Sequence, residues 1–143
     1  MDWYLKVLQQ YADFSGRARR KEYWMFLLFH LIFAGLLGFL IFYTADEYTY
    51  DDDLYKSNSY SIFNWLFLIY ILGTLIPSIA VTVRRLHDIG KSGFWYFITL
   101  IPYIGGFWLF ILTCMEGENK TNEWGKSPKG IDDYKKIDLI GKE

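Results

Sequence analysis

The chain offers one cysteine, two histidines and three prolines among 143 residues. Cys114 has no partner for an internal disulfide, so there is no disulfide framework, and the redox compartment stays open. No series of residues has the spacing of a zinc site, and no phosphate loop or nucleophile elbow is present. These absences weigh against an enzyme. A surplus of one charge is missing too, since fifteen Lys and Arg face sixteen Asp and Glu for a net charge of −1. That balance gives no general basic field for nucleic acid and excludes a nucleic-acid partner as the expectation. No cleavable leader is visible: the first twenty residues hold Asp2, Lys6, Asp13 and a basic cluster, without an apolar core or cleavage site. The first hydrophobic block is therefore expected to stay in place as a signal-anchor.

Apolar and aromatic residues are present in excess. Hydrophobic residues make up 52% of the chain, with twelve Phe, twelve Tyr and six Trp. A single domain of this length has too little interior to hide so many rings. The apolar residues fall into three blocks, at about 23–43, 62–83 and 94–114, separated by charged segments. Lipid accepts apolar side chains on every face of a helix, and this segregation is what a bilayer selects. The expected fold is all-α: a polytopic helical membrane protein with three hydrophobic helices preceded by an amphipathic interfacial helix. One membrane domain is expected over about 1–130, with a polar, solvent-exposed tail over 115–143.

The amphipathic helix is read over residues 2–14, with Trp3, Tyr4, Leu8, Tyr11 and Phe14 toward one side and Lys6, Gln9, Gln10 and Asp13 toward the other. It fits either a helix lying in the membrane interface or one packed on the protein's own surface. Ser15 is the expected N-cap of the next helix. The first block, Tyr23 to Tyr43, has twenty-one residues without a formal charge, enough to span a hydrocarbon core of about 30 Å. Its Gly35 and Gly38 do not form the four-residue repeat of close-packed membrane helices. His30 within it is expected to bond, neutral, to a neighbouring helix. In the second block Pro77 is expected to kink the helix, with Thr74 or nearby carbonyls absorbing the freed hydrogen-bonding capacity. The third block carries Pro102 and Gly105-Gly106 near its middle, which permits a kinked span or a re-entrant hairpin.

Charge near the spans sets orientation. Five Lys/Arg precede the first span and three lie between the second and third, whereas the 44–61 loop holds Lys56 against five acids. The N-terminus and residues 84–93 are thus expected in the cytoplasm, with the acidic loop outside.

Two polar clusters stand out. Arg17, Arg19, Arg20 and Lys21 precede the first span and read first as a topology anchor, since cations beside a bilayer attract anionic headgroups at about 1 kcal/mol each. As a binding site they would grip a phosphorylated ligand or an acidic partner. The second is RRLHDIGKSGFW at 84–95, read as a loop, in which His87 and Asp88 could carry acid–base chemistry. The structural alternative outweighs it: Arg84 and Arg85 pair with acids such as Asp88 or Glu22, while Gly90 and Gly93 let the chain reverse.

These segments carry a resemblance. MDWYLKVLQQYADFSGRARRKEYWMF, RRLHDIGKSGFW, LIPYIGG and the tail's EGENKTNEWGKSP are together similar to the YhaH-like domain-of-unknown-function family of small bacterial inner-membrane proteins. The resemblance omits the acidic insertion and the tail after about residue 130. It departs from the family at the tail, where Asn122-Glu123-Trp124-Gly125 and Pro128 stand in for Asn-Arg-Tyr/Phe-Gly and a proline. It implies a location in the bacterial inner membrane and a shared fold, and no reaction or cofactor. The expected function is a non-enzymatic one, exercised through membrane lipids, a homo-oligomer or other membrane proteins at a cytoplasmic basic face. Its candidate contacts are Arg17, Arg19, Arg20, Lys21, Arg84, Arg85, His87, Asp88 and Lys91. An oligomeric transporter or channel subunit is the alternative, and a membrane enzyme using His87 and Asp88 ranks third.

Overall fold

The computed structural model describes residues 2–45 and 62–128. The acidic stretch 46–61 and tail residues 129–143 lie outside the described residues, and so do the side chains of Asp2, Trp3 and Ala45. All regular structure among the described residues is helical, apart from one isolated bridge between Asn122 and Gly125.

Helix α1, Asp2–Gln9, is shorter than the 2–14 expected. Beyond its end the Asp13 carboxylate accepts from the amide of Ser15 at 2.9 Å and from its hydroxyl at 2.5 Å. Such a side-chain turn competes with helix continuation. The same two bonds hold the Asp13 carboxyl below the ordinary carboxylate range. Ser15 is therefore committed to Asp13 and does not cap the following helix, which starts only at Arg20. Val7 of α1 is fully buried with Ala18, Phe26 and Val81, and Tyr4 stacks on Phe26 at 5.4 Å. Of the two readings of this segment, the structure has the helix docked on the protein itself.

Helix α2, Arg20–Ala45, and helix α3, Ile62–Asp88, hold 26 and 27 residues, about 40 Å each at 1.5 Å per residue. Only 6% of the apolar stretch of α2 is buried inside the protein, and 28% of that of α3. Helices that show apolar faces outward at this length are built for lipid. A Cβ on Gly35 or Gly38 would meet nothing within 4 Å, so neither mediates close helix approach. The helices are joined instead by His30, whose Nδ1 lies 3.0 Å from the Tyr70 hydroxyl while the two rings stack at 5.3 Å. This is the neighbouring-helix bond expected of a histidine at that depth.

Pro77 cannot donate to the carbonyl four residues earlier, that of Gly73. The Tyr11 hydroxyl donates to it at 2.7 Å. Thr74, the expected substitute, reaches back to its own helix at Tyr70 O, 2.8 Å, as a helical threonine can. A residue from the N-terminal segment thus repairs the break.

The third block folds back on itself. A 3₁₀ helix, Gly93–Leu100, is followed by a turn and then by helix α4, Ile104–Cys114. Each arm is about 16 Å long, half of a hydrocarbon core. Tyr103 reverses the chain with φ 66°, and Ile104 N donates to Pro102 O at 2.8 Å. Gly105 is buried where a Cβ would collide with the Ile98 carbonyl, so the arms meet backbone to backbone there. Leu112 then packs with Leu86 and Ile89, which returns the chain to the end of α3.

Candidate functional site

The last turn of α3 is the centre of the site. Residues Arg84 to Asp88, read from the sequence as part of a loop, are still helical. The helix ends in a Schellman arrangement, with Lys91 N donating to Leu86 O at 2.9 Å and Gly90 N to His87 O at 3.1 Å. Gly90 has φ 72°, a conformation that favours glycine at this capping position. Helix geometry therefore fixes where the four polar side chains of this turn go.

Arg85 and Asp88, three residues apart, pair at 2.5 Å; Arg85 is fully buried and Asp88 is 4% exposed. Arg85 also donates to Thr113 O at 3.1 Å and to Met115 O. Arg17 reaches the same aspartate, Nε to Oδ1 at 3.1 Å. Its remaining donors go to Lys120 O at 2.7 Å, Gly125 O at 3.4 Å, Asp88 O at 3.2 Å and Glu118 O. A guanidinium has five N–H donors in a fixed fork, and here each has a carbonyl or carboxylate. Charged groups this deep are tolerated only when paired and hydrogen-bonded.

A second knot lies beside the first. Glu22, in the first turn of α2, is 1% exposed and pairs with Lys6 at 2.9 Å and Arg84 at 3.6 Å. Arg84 also donates to Gln10 Oε1, and its backbone carbonyl accepts from Ala18 N at 3.0 Å. His87 makes the third connection. Its Nδ1 lies 3.2 Å from the Gly16 carbonyl, its ring stacks on Trp124 at 4.7 Å and 8°, and its carbonyl accepts from Asn122 Nδ2 at 2.9 Å.

Three stretches far apart in the chain thus meet as a clasp at one end of the helix pair: residues 6–22, the turn 84–91, and the end of α4 with the tail that follows it to Ser127. The tail was expected to be solvent-exposed, and over 115–127 seven residues are; Gly117 and Ser127 are buried, and Glu118, Asn122, Trp124 and Gly125 are half-buried against the end of α3. Tail carbonyls accept from Arg17 and Arg85, contacts that span 30 to 108 residues of sequence.

The nine residues expected to meet a lipid or partner divide sharply. Arg17, Arg84, Arg85, His87 and Asp88 are turned inward and bond within the chain, with Arg84 Nε and Nη2 buried without a hydrogen-bond partner among the described residues. Arg20 and Lys21 remain exposed, Arg19 and Lys91 half-buried. Arg20 donates to Met115 O at 2.9 Å, and Lys91 lies over the Trp95 ring at 5.5 Å. The pairing of Arg84 with Glu22 and of Arg85 with Asp88 is the structural alternative weighed above. Asp88 has both oxygens on guanidinium groups and His87 turns to Gly16, so these two neighbours do not form an acid–base couple. Sequence reasoning missed Gln10, Tyr11, Gly16 and Thr113. It assigned Trp124 no role in the site, although the tail motif containing it contributes to the resemblance.

The comparisons with known proteins fit this architecture. The family model "Protein of unknown function (DUF805)" matches residues 11–126, the region bounded by Tyr11 and the turn at Asn122–Gly125. The chain is 38% identical to the inner membrane protein YhaI of Escherichia coli K12 over 129 residues, covering 90% of this chain and 97% of the relative. It is 40% identical to the inner membrane protein YhaH of the same organism over 129 residues, covering 90% and 98%. The uncharacterized protein YiiR is 31% identical over 109 residues, covering 75% of this chain and 64% of that relative. No solved structure matches. With the family model matching residues 11–126, relatives 38% and 40% identical over 90% of the chain, and two helices long enough to cross a bilayer, the chain belongs to the DUF805 family of inner-membrane proteins.

Proposed function

We propose that the chain crosses the inner membrane twice, through α2 and α3, and presents a rigid cationic platform at the cytoplasmic surface that engages anionic lipid headgroups. The third block enters the bilayer as a hairpin and returns to the same side. The N-terminus, residues 84–93 and residues 115–128 then share the cytoplasmic face, with the acidic 46–61 loop opposite.

The observation that carries this reading is the division of labour among the cations. Arg17, Arg84 and Arg85 are consumed by the clasp. Arg20, Lys21, Lys120 and Lys126 are left exposed around it. Buried pairs fix the scaffold, and outward cations attract phosphate at about 1 kcal/mol each near an anionic surface. The count of Lys and Arg beside the spans supports the cytoplasmic side.

The test is the lipid that co-purifies with the full chain in mild detergent. Lys21→Glu with Lys120→Glu is expected to lower the enrichment of anionic over zwitterionic lipid roughly fivefold per lost cation, the equivalent of about 1 kcal/mol each. Unchanged enrichment in a folded double variant sinks the reading.

A further inference from the structure

The hairpin of the third block turns on Tyr103, which holds a backbone conformation that a side chain makes costly. Ile104 N donates to Pro102 O at 2.8 Å around Tyr103, at φ 66° and ψ −50°. This is the rare, strained form of the γ-turn, and glycine would adopt it more readily. Tyr103 is the one non-glycine residue with positive φ among the described residues. Its own chain makes no use of the side chain, which is 97% exposed. Neither its amide nor its hydroxyl has a hydrogen-bond partner among the described residues. Strain of this kind gathers at functional positions.

Both arms give the depth of this tip. On the way in, Gly93 stands against Val83, and Tyr96 shares a wall with Ile79. Leu100 is then about 14 Å beyond Gly93 at 2.0 Å per residue, level with Thr74 of α3. On the way out, Leu112 packs with Leu86. Ile104 lies about 12 Å back from it, level with Ser78. The tip is therefore near the middle of a hydrocarbon core of about 30 Å. Irregular backbone at that depth is tolerated only against protein or a water-filled cavity.

At the same level the helix pair has a hollow of about 210 Å³, bordered by His30, Thr74, Leu75, Ser78 and Tyr96. That is the liquid volume of about seven waters, room for one phenol ring. Part of its wall is polar. Thr74 and Ser78 give their hydroxyl protons to carbonyls of their own helix at 2.8 and 2.6 Å. Each oxygen keeps a lone pair that can accept. Ser78 is half-buried, with Thr74 buried behind it.

We propose that the hairpin tip docks on a second copy of this chain, with Tyr103 seated in that copy's hollow and its hydroxyl donating to Ser78 Oγ. Copies inserted in one orientation lie at one depth, so tip and hollow are level and meet by lateral approach alone. An acyl chain would cover the tip without offering an acceptor, whereas the hollow has both the space and the polar wall. The inference rests on the reading of the third block as a hairpin within the bilayer.

Photo-crosslinking of the full chain in native membranes tests it. p-Azidophenylalanine, close to tyrosine in size, replaces Tyr103 in one tagged copy, co-expressed with an unaltered copy carrying a different tag. The position is exposed and keeps its ring, so folding is not at issue. Irradiation is expected to give a covalent product with both tags, its attachment mapping to residues 71–79 of the second copy. Attachment to lipid alone, to another protein or elsewhere on the chain overturns the proposal. Ser78→Phe in the second copy fills the hollow and is expected to abolish the product; full yield from a folded variant overturns the proposal too. Tyr103→Cys with the exposed Cys114 removed as Cys114→Ser separates the two readings. Protection of the new thiol from a membrane-impermeant maleimide on both sides, without a crosslink, removes the docking and keeps the hairpin. Labelling from either side removes the hairpin and the docking with it.

Discussion

At the residue scale, Arg17 shows how much one side chain can organise when its fork is fully used. It meets a carboxylate and four backbone carbonyls, and those carbonyls belong to α3 and to the tail. Lysine keeps the charge but has three donors on a point-like head, so it cannot serve five acceptors in that geometry. Arg17→Lys is therefore expected to cost about 3 kcal/mol of stability, from charge-assisted bonds lost and carbonyls left unpaired. Thermal unfolding in mild detergent reads this, and a melting curve like that of the wild type refutes it. The basic cluster was legible in the sequence, but its roles were not. Nothing in GRARR distinguishes Arg17, almost wholly inside, from Arg20, which is exposed. The difference comes from Glu118, Lys120 and Gly125, about a hundred residues later.

At the element scale, the break in α3 and its repair make a closed test. Pro77 frees the Gly73 carbonyl, and the Tyr11 hydroxyl accounts for it at 2.7 Å. In lipid, a backbone group without a partner has no water to turn to. Tyr11→Phe is expected to destabilise the protein by about 1–3 kcal/mol. Pro77→Ala returns a donor to the same carbonyl, so Tyr11→Phe should cost little in that background. A double-mutant cycle measures the coupling; equal cost of Tyr11→Phe in both backgrounds denies it. The unpaired carbonyl was foreseeable from one proline in an apolar run. The partner was not, because Tyr11 lies 62 residues away and was expected on a helix that stops at Gln9. The third block was half legible in the same way. Pro102 and Gly105 announced an interruption, while only the backbone contact of Gly105 with Ile98 identifies a hairpin.

At the scale of the whole molecule, the clasp ties the N-terminal segment, the end of α3 and the tail to one end of the helix pair. Fusing a topology reporter after residue 143 is therefore expected to give the same sidedness as one at the N-terminus, and a reporter at residue 53 the opposite. Opposite signals from the two termini would contradict the hairpin as a membrane topology. The sequence alone determined the membrane class, since block length and all-round apolarity answer directly to bilayer thickness and solvation. It also determined the family, because several short motifs recur together in order. It marked the two polar clusters, around Arg17 and around Arg84, that the fold brings together. Tertiary structure alone decided that most of those charges face inward, that tail carbonyls meet two of the arginines, and that His87 turns to Gly16 and stacks on Trp124. The reason is physical: hydrophobic periodicity is local and can be read along a chain, whereas a buried charge takes its meaning from the partners that desolvate with it. Those partners are brought together only when the chain folds back.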